Sequence, residues 1–461
     1  MNEANEKQRP LIEDRLGLRA RVLAHERALL VGLQTQKQQR GGEDDETFKE
    51  LQALCRTAGL DVLRTVIQRR DRANAATFVH KGKAHEIKAL VEASGADAVI
   101  FNDELTPTQG RNLEELLQVK VIDRPQLIMD IFAQRAQTVD SKLQVELAQL
   151  EYLLPRLRGW GEALSRLGAG IGTRGPGETK LAMERDQIRT RIHRIRQSLK
   201  EVQVKRGVKR KQRQRHEMAQ VVLVGYTNAG KSTLLNCLTG AQVLVEDKLF
   251  ATLDPVARRL QLPDQTEAIF ADTVGFIRKL PKQLVPAFQS TLESVKEADL
   301  ILHVLDAADP QMEFKWRAVE QVLKDVLDPH PWPPLLHAFN KMDAVSEQAM
   351  AALEHLKGQF PHTVQVSALQ RDGLEELLKQ IVQLLDHGKV RVTFAVPYDQ
   401  GQWLDRLHRI GEVQDQRYEA GQVSLTLVLP RAELEKFSTH AAADGLSWTL
   451  QNASLNERAP V

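Results

Sequence analysis

An apolar run, Gln220-Val221-Val222-Leu223-Val224, leads without a gap into Gly225-Tyr226-Thr227-Asn228-Ala229-Gly230-Lys231-Ser232, and a helical pattern from Thr233 to Thr239 follows. A strand, a G-x-x-x-x-G-K-S loop and a helix in that order leave few folds open. The glycines keep side chains out of a loop that wraps an anion with backbone N–H groups. The anion then meets a helix N-terminus, where unpaired amides and the helix dipole favour negative charge. Lys231 is the residue expected to reach the β- and γ-phosphates, and the Ser232 hydroxyl suits Mg²⁺.

Three shorter strings stand at the ends of later apolar runs. Asp272-Thr273-Val274-Gly275 follows Ala268 to Ala271, where a second anchor for the metal should lie. Asn340-Lys341-Met342-Asp343 follows Leu335 to Phe339. Ser367-Ala368-Leu369 follows Thr363 to Val366. Asp343 can accept from the guanine N1–H and exocyclic amine, a donor pair that adenine lacks. Asn340 is expected to brace the phosphate loop and the Lys341 stem to lie over the base. A backbone N–H from Ser367 to Leu369 would meet guanine O6. Each string alone is a common turn; their fixed order at successive strand ends points to GTP and GDP as ligands.

These stretches resemble the Ras-like GTPase superfamily, within it the translation-factor-like members. The resemblance implies a threonine that closes on Mg²⁺, and Phe250-Ala251-Thr252-Leu253-Asp254-Pro255 matches that switch string. Thr252 is therefore expected as the second Mg²⁺ ligand beside Ser232, a strand-start hydroxyl being the other reading. Lys231, Thr252, Asp272 and Gly275 form the expected catalytic set. Phe276 stands where many relatives carry a water-orienting Gln, which an aromatic cannot replace. Slow hydrolysis raised by a partner is the consequence, with Asp254, Arg258 and Arg278 as candidates for supporting chemistry.

A chain of 461 residues exceeds one ordinary core. We divide it into a polar extension (1–24), an N-terminal α/β domain with a largely parallel sheet (25–138), a basic helical hairpin with a glycine-rich tip (139–217), the GTPase domain (218–388) and a small C-terminal α+β domain (389–461). The fold class is thus multidomain α/β. In the last domain, Arg391 to Val396 and Gln422 to Leu429 read as strands, Arg431 to His440 as helix, and the chain from Gln451 as frayed. Two cysteines argue against a disulfide framework and fit a reducing cytoplasm; transient membrane association stays allowed, without an integral span. Net charge is only +2, yet Glu178 to His216 holds 14 Lys and Arg against 4 Asp and Glu, a local +10. Such an arm suits a polyanion.

Longer strings resemble the HflX family of bacterial GTPases: Val121-Ile122-Asp123-Arg124, Ile131 to Ala136, Lys142 to Ala148, Gly172 to Thr179 and the phosphate loop itself. The resemblance implies a factor that binds the large ribosomal subunit and its RNA in its GTP form, and in some members splits stalled or idle ribosomes under stress. A monomer with no DNA partner is expected, although the sequence leaves monomer and dimer open. Arg174, Arg189, Arg191, Arg194 and Arg196 are the expected RNA contacts, a solvated coiled-coil face being the alternative. Assembly of ribosomes, a non-ribosomal switch, and a second nucleotide on the N-terminal domain remain as rivals.

Overall fold

The computed structural model describes residues 26–34, 43–70, 72–157, 183, 185–202, 218–240, 249–250, 256–278, 284, 294–328, 332–387, 389–419, 421–430, 434 and 447–451. The N-terminal domain alternates β1 (Arg27–Gln34), α1 (Glu43–Thr57), β2 (Asp61–Arg69), α2 (Lys81–Ser94), β3 (Ala98–Phe101), α3 (Pro107–Leu117), β4 (Lys120–Asp123) and α4 (Arg124–Arg135). Its four strands pair in parallel in the order β2-β1-β3-β4. Both faces are covered, which is why β1 and β3 are apolar on either side. Leu29, Val31, Val99 and Phe101 pack under α2 and α3. Ala28, Leu30, Ala98 and Ile100 pack under α1 and α4. Helix α3 begins where sequence chemistry says it should: Thr106 accepts from the Gln109 N–H, Gln109 reciprocates, and Pro107 opens the first turn.

Helix α5 (Val139–Arg156) leaves this domain, and a helix over 185–202, here α6, lies along it. Leu147 and Leu150 interleave with Ile188, Ile192 and Ile195 to form the seam. The glycine-rich tip and Lys205 to Arg215 fall outside the described residues.

The central domain has β5 (Ala219–Val224), α7 (Lys231–Thr239), β6 (Val256–Gln261), β7 (Glu267–Asp272), β8 (Leu300–Asp306), α8 (Met312–Leu327), β9 (Leu335–Asn340), α9 (Glu347–Lys357), β10 (Thr363–Gln365) and α10 (Leu374–His387). The sheet order is β10-β9-β8-β5-β7-β6, parallel except for β6. Helices α7 and α10 cover one face and α8 the other. All three nucleotide strings that follow β7, β9 and β10 therefore emerge at the same sheet edge as the phosphate loop, the usual ligand position in open α/β sheets.

The C-terminal domain runs β11 (Lys389–Pro397), α11 (Gln402–Ile410), β12 (Glu412–Glu419), β13 (Gln422–Pro430) and β14 (Ser447–Gln451). Its antiparallel sheet, ordered β12-β13-β11-β14, buries Val392, Phe394, Leu425 and Leu427 against Trp403 and Leu407 of α11. Gln451, expected frayed, pairs with Arg391 at the end of β14. Of Arg431 to His440 only Leu434 is described, as helical and buried. Among the described residues no helix is long and apolar enough to cross a membrane.

Candidate functional site

The phosphate loop turns from β5 into α7 through Gly230, whose φ of +89° is one that L side chains avoid. A Cβ there would also stand 2.3 Å from Asn340 Nδ2. That contact is needed: Asn340 Nδ2 donates to Ala229 O at 3.0 Å, and its Oδ1 accepts from the Ala368 N–H at 3.0 Å. One buried side chain thus ties three nucleotide strings together, as the sequence suggests for Asn340. The Ala368 N–H is thereby turned towards Asn340 at the end of β9. Asp343 is exposed beside it, its Oδ1 accepting from Ser367 Oγ at 2.5 Å. Lys341 adopts a left-handed backbone and sends its Nζ to Asp306 Oδ2 at 2.7 Å. Leu369 is largely exposed at the same edge, and Met342 packs below with Phe339.

Lys231 is buried, with Nζ donating to the carbonyls of Gly225 (3.1 Å) and Tyr226 (2.9 Å). Burial pushes its ammonium pKa down to about 8, and the nearby Asp272 opposes the shift. Gly275 must be a glycine here, since a Cβ would meet Lys231 Nζ at 2.9 Å and Thr227 Cα at 2.8 Å. Ser232 Oγ donates to Asp272 Oδ2 at 2.5 Å. A hydroxyl and a carboxylate oxygen therefore already converge next to Lys231, a hard-oxygen set that fits a magnesium ion completed by phosphate oxygens. Among the described residues no group of three or more His, Cys, Asp or Glu could hold a metal without such help. Thr227 and Asn228 line the outer side of the loop, the Thr227 hydroxyl buried without a hydrogen-bond partner and Asn228 at φ +62°. Thr233 follows in the first turn of α7.

Other expected residues sit elsewhere. Thr273 is fully buried and bonds Leu223 O at 2.6 Å, a brace between β7 and β5. Val274 and Phe250 belong to the core under α1 and α4, where the Phe250 ring meets Phe132 edge-on at 4.7 Å. Their side chains are therefore turned into that core. Ala251, Thr252, Leu253 and Asp254 lie outside the described residues, so Thr252 has no observed position. Phe276 is buried with Val222, Val224 and Ile301 behind the loop. Its backbone is laddered to the loop: Thr227 N–H donates to Phe276 O, and Phe276 N–H to Gly225 O. An aromatic that packs inward explains the missing Gln without offering a substitute. Arg258 is exposed on edge strand β6, opposite Phe270 of β7.

What stands opposite comes from the N-terminal domain and from the chain just after Phe276. Glu50 of α1 accepts from the Tyr226 hydroxyl at 2.9 Å and pairs with Arg124 at 2.9 Å. Arg124, only 1% exposed, also donates to Asn102 Oδ1 (3.1 Å) and to the carbonyl of Arg278 (3.3 Å). The Arg278 N–H in turn donates to Tyr226 Oη at 2.9 Å. Burial, then the Glu50 charge, drives the Tyr226 phenol pKa upward, so it stays a neutral donor.

Of the expected RNA contacts, Arg174 lies outside the described residues. Arg191 is bidentate with Glu146 (2.6 and 2.8 Å) and Arg196 bonds Glu151 at 2.8 Å, both across the α5–α6 seam. Arg189 pairs with Asp186 one turn away, and Arg194 is exposed.

Three family models match in chain order: "GTP-binding GTPase N-terminal" over residues 45–133, "GTP-binding GTPase Middle Region" over 135–213, and "50S ribosome-binding GTPase" over 220–341. The chain is 47% identical over 400 residues to GTPase HflX of Caldanaerobacter subterraneus subsp. tengcongensis, covering 87% of this chain and 90% of that one. It is 42% identical over 390 residues to GTPase HflX of Escherichia coli strain K12, covering 84% and 91%. A crystal structure of a GTP-binding protein from Sulfolobus solfataricus with GDP overlaps 78% of this chain and 99% of its own at 23% identity. Its TM-score of 0.43 is too low to add to the assignment.

Proposed function

The chain belongs to the HflX family of GTPases, and from that membership we propose that it binds the large ribosomal subunit in its GTP form and splits stalled or idle ribosomes. GTP hydrolysis itself is the family's activity. The finer reading is that hydrolysis is slow alone, is stimulated by the ribosome, and serves release.

The observation that supports it most is the arm. A shared apolar seam and two cross-helix ion pairs hold α5 and α6 together, and the arm's outer side keeps Arg189 and Arg194 exposed. A projecting basic rod neutralises RNA phosphates without spending its own fold on the contact. Mg²⁺ is the proposed metal, held by Ser232 and, by resemblance, Thr252; bound there it would neutralise charge on the phosphate oxygens. Around it, Lys231 supplies a buried cation, the loop amides orient the phosphates, and Asp343 selects guanine. The proposed setting is the cytoplasm.

Sedimentation of intact ribosomes with this protein tests the reading. Splitting with a non-hydrolysable GTP analogue is expected, followed by release only with GTP. Binding to precursor particles without splitting of mature ribosomes would favour an assembly role and overturn the proposal.

A further inference from the structure

Asp123 and Arg124 are neighbours where β4 gives way to α4, 2% and 1% exposed, and they bond in different directions. Asp123 holds the arm. Its Oδ2 accepts from the Tyr152 hydroxyl and from Arg156 NH2 (3.3 Å), both of α5, and from the Leu105 N–H at 3.0 Å. Its Oδ1 caps α4 at the Gln126 N–H. Arg156 lies over the Tyr152 ring at 3.4 Å and donates to Leu105 O at 2.6 Å, so one turn of α5 is fastened to this carboxylate and the chain beside it. Burial, then the Asp123 charge, pushes the Tyr152 phenol pKa upward, and the hydroxyl stays a donor. Arg124 faces the other way. It pairs with Glu50 at 2.9 Å and donates to the Arg278 carbonyl at 3.3 Å. Tyr226 Oη donates to Glu50 and accepts from the Arg278 N–H, both at 2.9 Å, while the Tyr226 carbonyl accepts from Lys231. A series of hydrogen bonds, with one peptide bond at its centre, thus runs from α5 to the lysine of the phosphate loop.

We infer that Asp123 and Arg124 are positioning residues for GTP hydrolysis: through them, the seat of the arm on the N-terminal domain sets the phosphate loop. The inference rests on the reading of the arm as the RNA-binding element. RNA that loads the arm tilts α5, and Tyr152 and Arg156 carry the movement to Asp123. Because Asp123 also caps α4, its displacement moves the first turn of that helix, where Arg124 stands. The guanidinium then shifts its grip between Glu50 and the Arg278 carbonyl, the two groups that fix Tyr226. Packed, buried contacts respond by changing partners rather than by stretching. Charge-assisted bonds are about twice as strong as neutral ones, so the Glu50-paired form is the resting one. By linkage, nucleotide and arm seat alter each other's free energy equally.

Tyr152→Phe removes only the hydroxyl and keeps the ring beneath Arg156. For the protein alone, it is expected to release fluorescent GDP about fivefold faster. Glu50→Gln should do the same, and the double variant should be no faster than the faster single, since both cut one route. Val99→Ala, which loosens the opposite face of the N-terminal sheet, should lower stability in urea yet leave GDP release within about twofold. On large subunits, Tyr152→Phe should keep wild-type co-sedimentation with a GTP analogue and lose about fivefold in stimulated hydrolysis. Single effects that multiply in the double variant, a wild-type release rate or undiminished stimulation in Tyr152→Phe, or an equal gain in Val99→Ala would overturn the inference. Wild-type protein that fails to sediment with large subunits sinks the RNA reading of the arm instead, and the release measurements still decide the route. Should Glu50→Gln fail to hold GDP, Tyr226→Phe completes the same cycle.

Discussion

Replacing Arg124 with Met should be the most damaging single change in the N-terminal domain. The side chain is 1% exposed and its partner Glu50 is 11% exposed, so the change leaves a carboxylate in a nearly dry site. Breaking a buried pair by removing one partner costs about 3–5 kcal/mol. The Asn102 and Arg278 acceptors lose a donor as well, at about 1 kcal/mol each where water cannot reach them. Tyr226 still donates to Glu50, which softens the loss without cancelling the charge. The double variant Arg124→Met/Glu50→Gln removes the stranded charge and should recover most of the deficit, ending within about 1–2 kcal/mol of wild type. Hydrogen exchange on peptides from β1, β3 and β4 reads the opening free energy directly. A single variant that costs under about 1 kcal/mol, or a double variant no better than the single, would refute the view that this pair is desolvated and coupled.

Asn340→Ala removes two hydrogen bonds to neighbouring nucleotide strings, so GDP should leave about thirtyfold faster, at about 1 kcal/mol per bond; stopped-flow release of a fluorescent GDP reads it. His303 and His337 face each other across β8 and β9 with ring centroids 5.3 Å apart, and burial pushes His337 down to about 4. A depressed pKa means that the unfolded chain takes up the proton first. Stability should therefore be full above about pH 6.5 and fall by up to about 3 kcal/mol towards pH 4. Urea unfolding followed by Trp316 and Trp332 fluorescence checks this, and His337→Phe should flatten the slope. On the arm, Arg194→Glu should weaken ribosome co-sedimentation and lower its salt dependence by about one unit. The Glu146→Arg/Arg191→Glu swap, which preserves the seam, should leave binding intact.

How legible all this was depends on whether a residue's partner is local. The phosphate loop, Asp272, Asn340 and Ser367 each follow an apolar strand, so periodicity places them at one sheet edge before any coordinates exist. Strands β6 and β12 went unread because both are edge strands with mostly polar faces, where alternation carries no burial signal. Arg191 and Arg196 looked like RNA contacts because their Glu partners sit 45 residues away on α5. The heptad-like seam could have exposed that pairing, since flanking charges in helix pairs commonly cross-bridge. Glu50 had no such signal. It meets Tyr226 across 176 positions, and nothing in either neighbourhood marks the contact.

That contact changes what the phosphate loop can report. Tyr226 accepts at its carbonyl from Lys231, the proposed phosphate cation, while its hydroxyl donates to Glu50 and accepts from the Arg278 amide. Phe250, which opens the Phe250–Pro255 string, and Val274, within Asp272–Gly275, are inserted into the core of the N-terminal domain. A shift of the loop of even a fraction of an ångström must therefore be felt at α1 and α4, because packed cores and short hydrogen bonds do not stretch smoothly. Linkage makes the converse obligatory: whatever binds the N-terminal domain and displaces α1 changes nucleotide affinity by the same factor that nucleotide changes its own. A small residue in place of Tyr226 would still wrap a phosphate, yet it would cut the hydroxyl bonds through which the loop and the N-terminal domain bias each other.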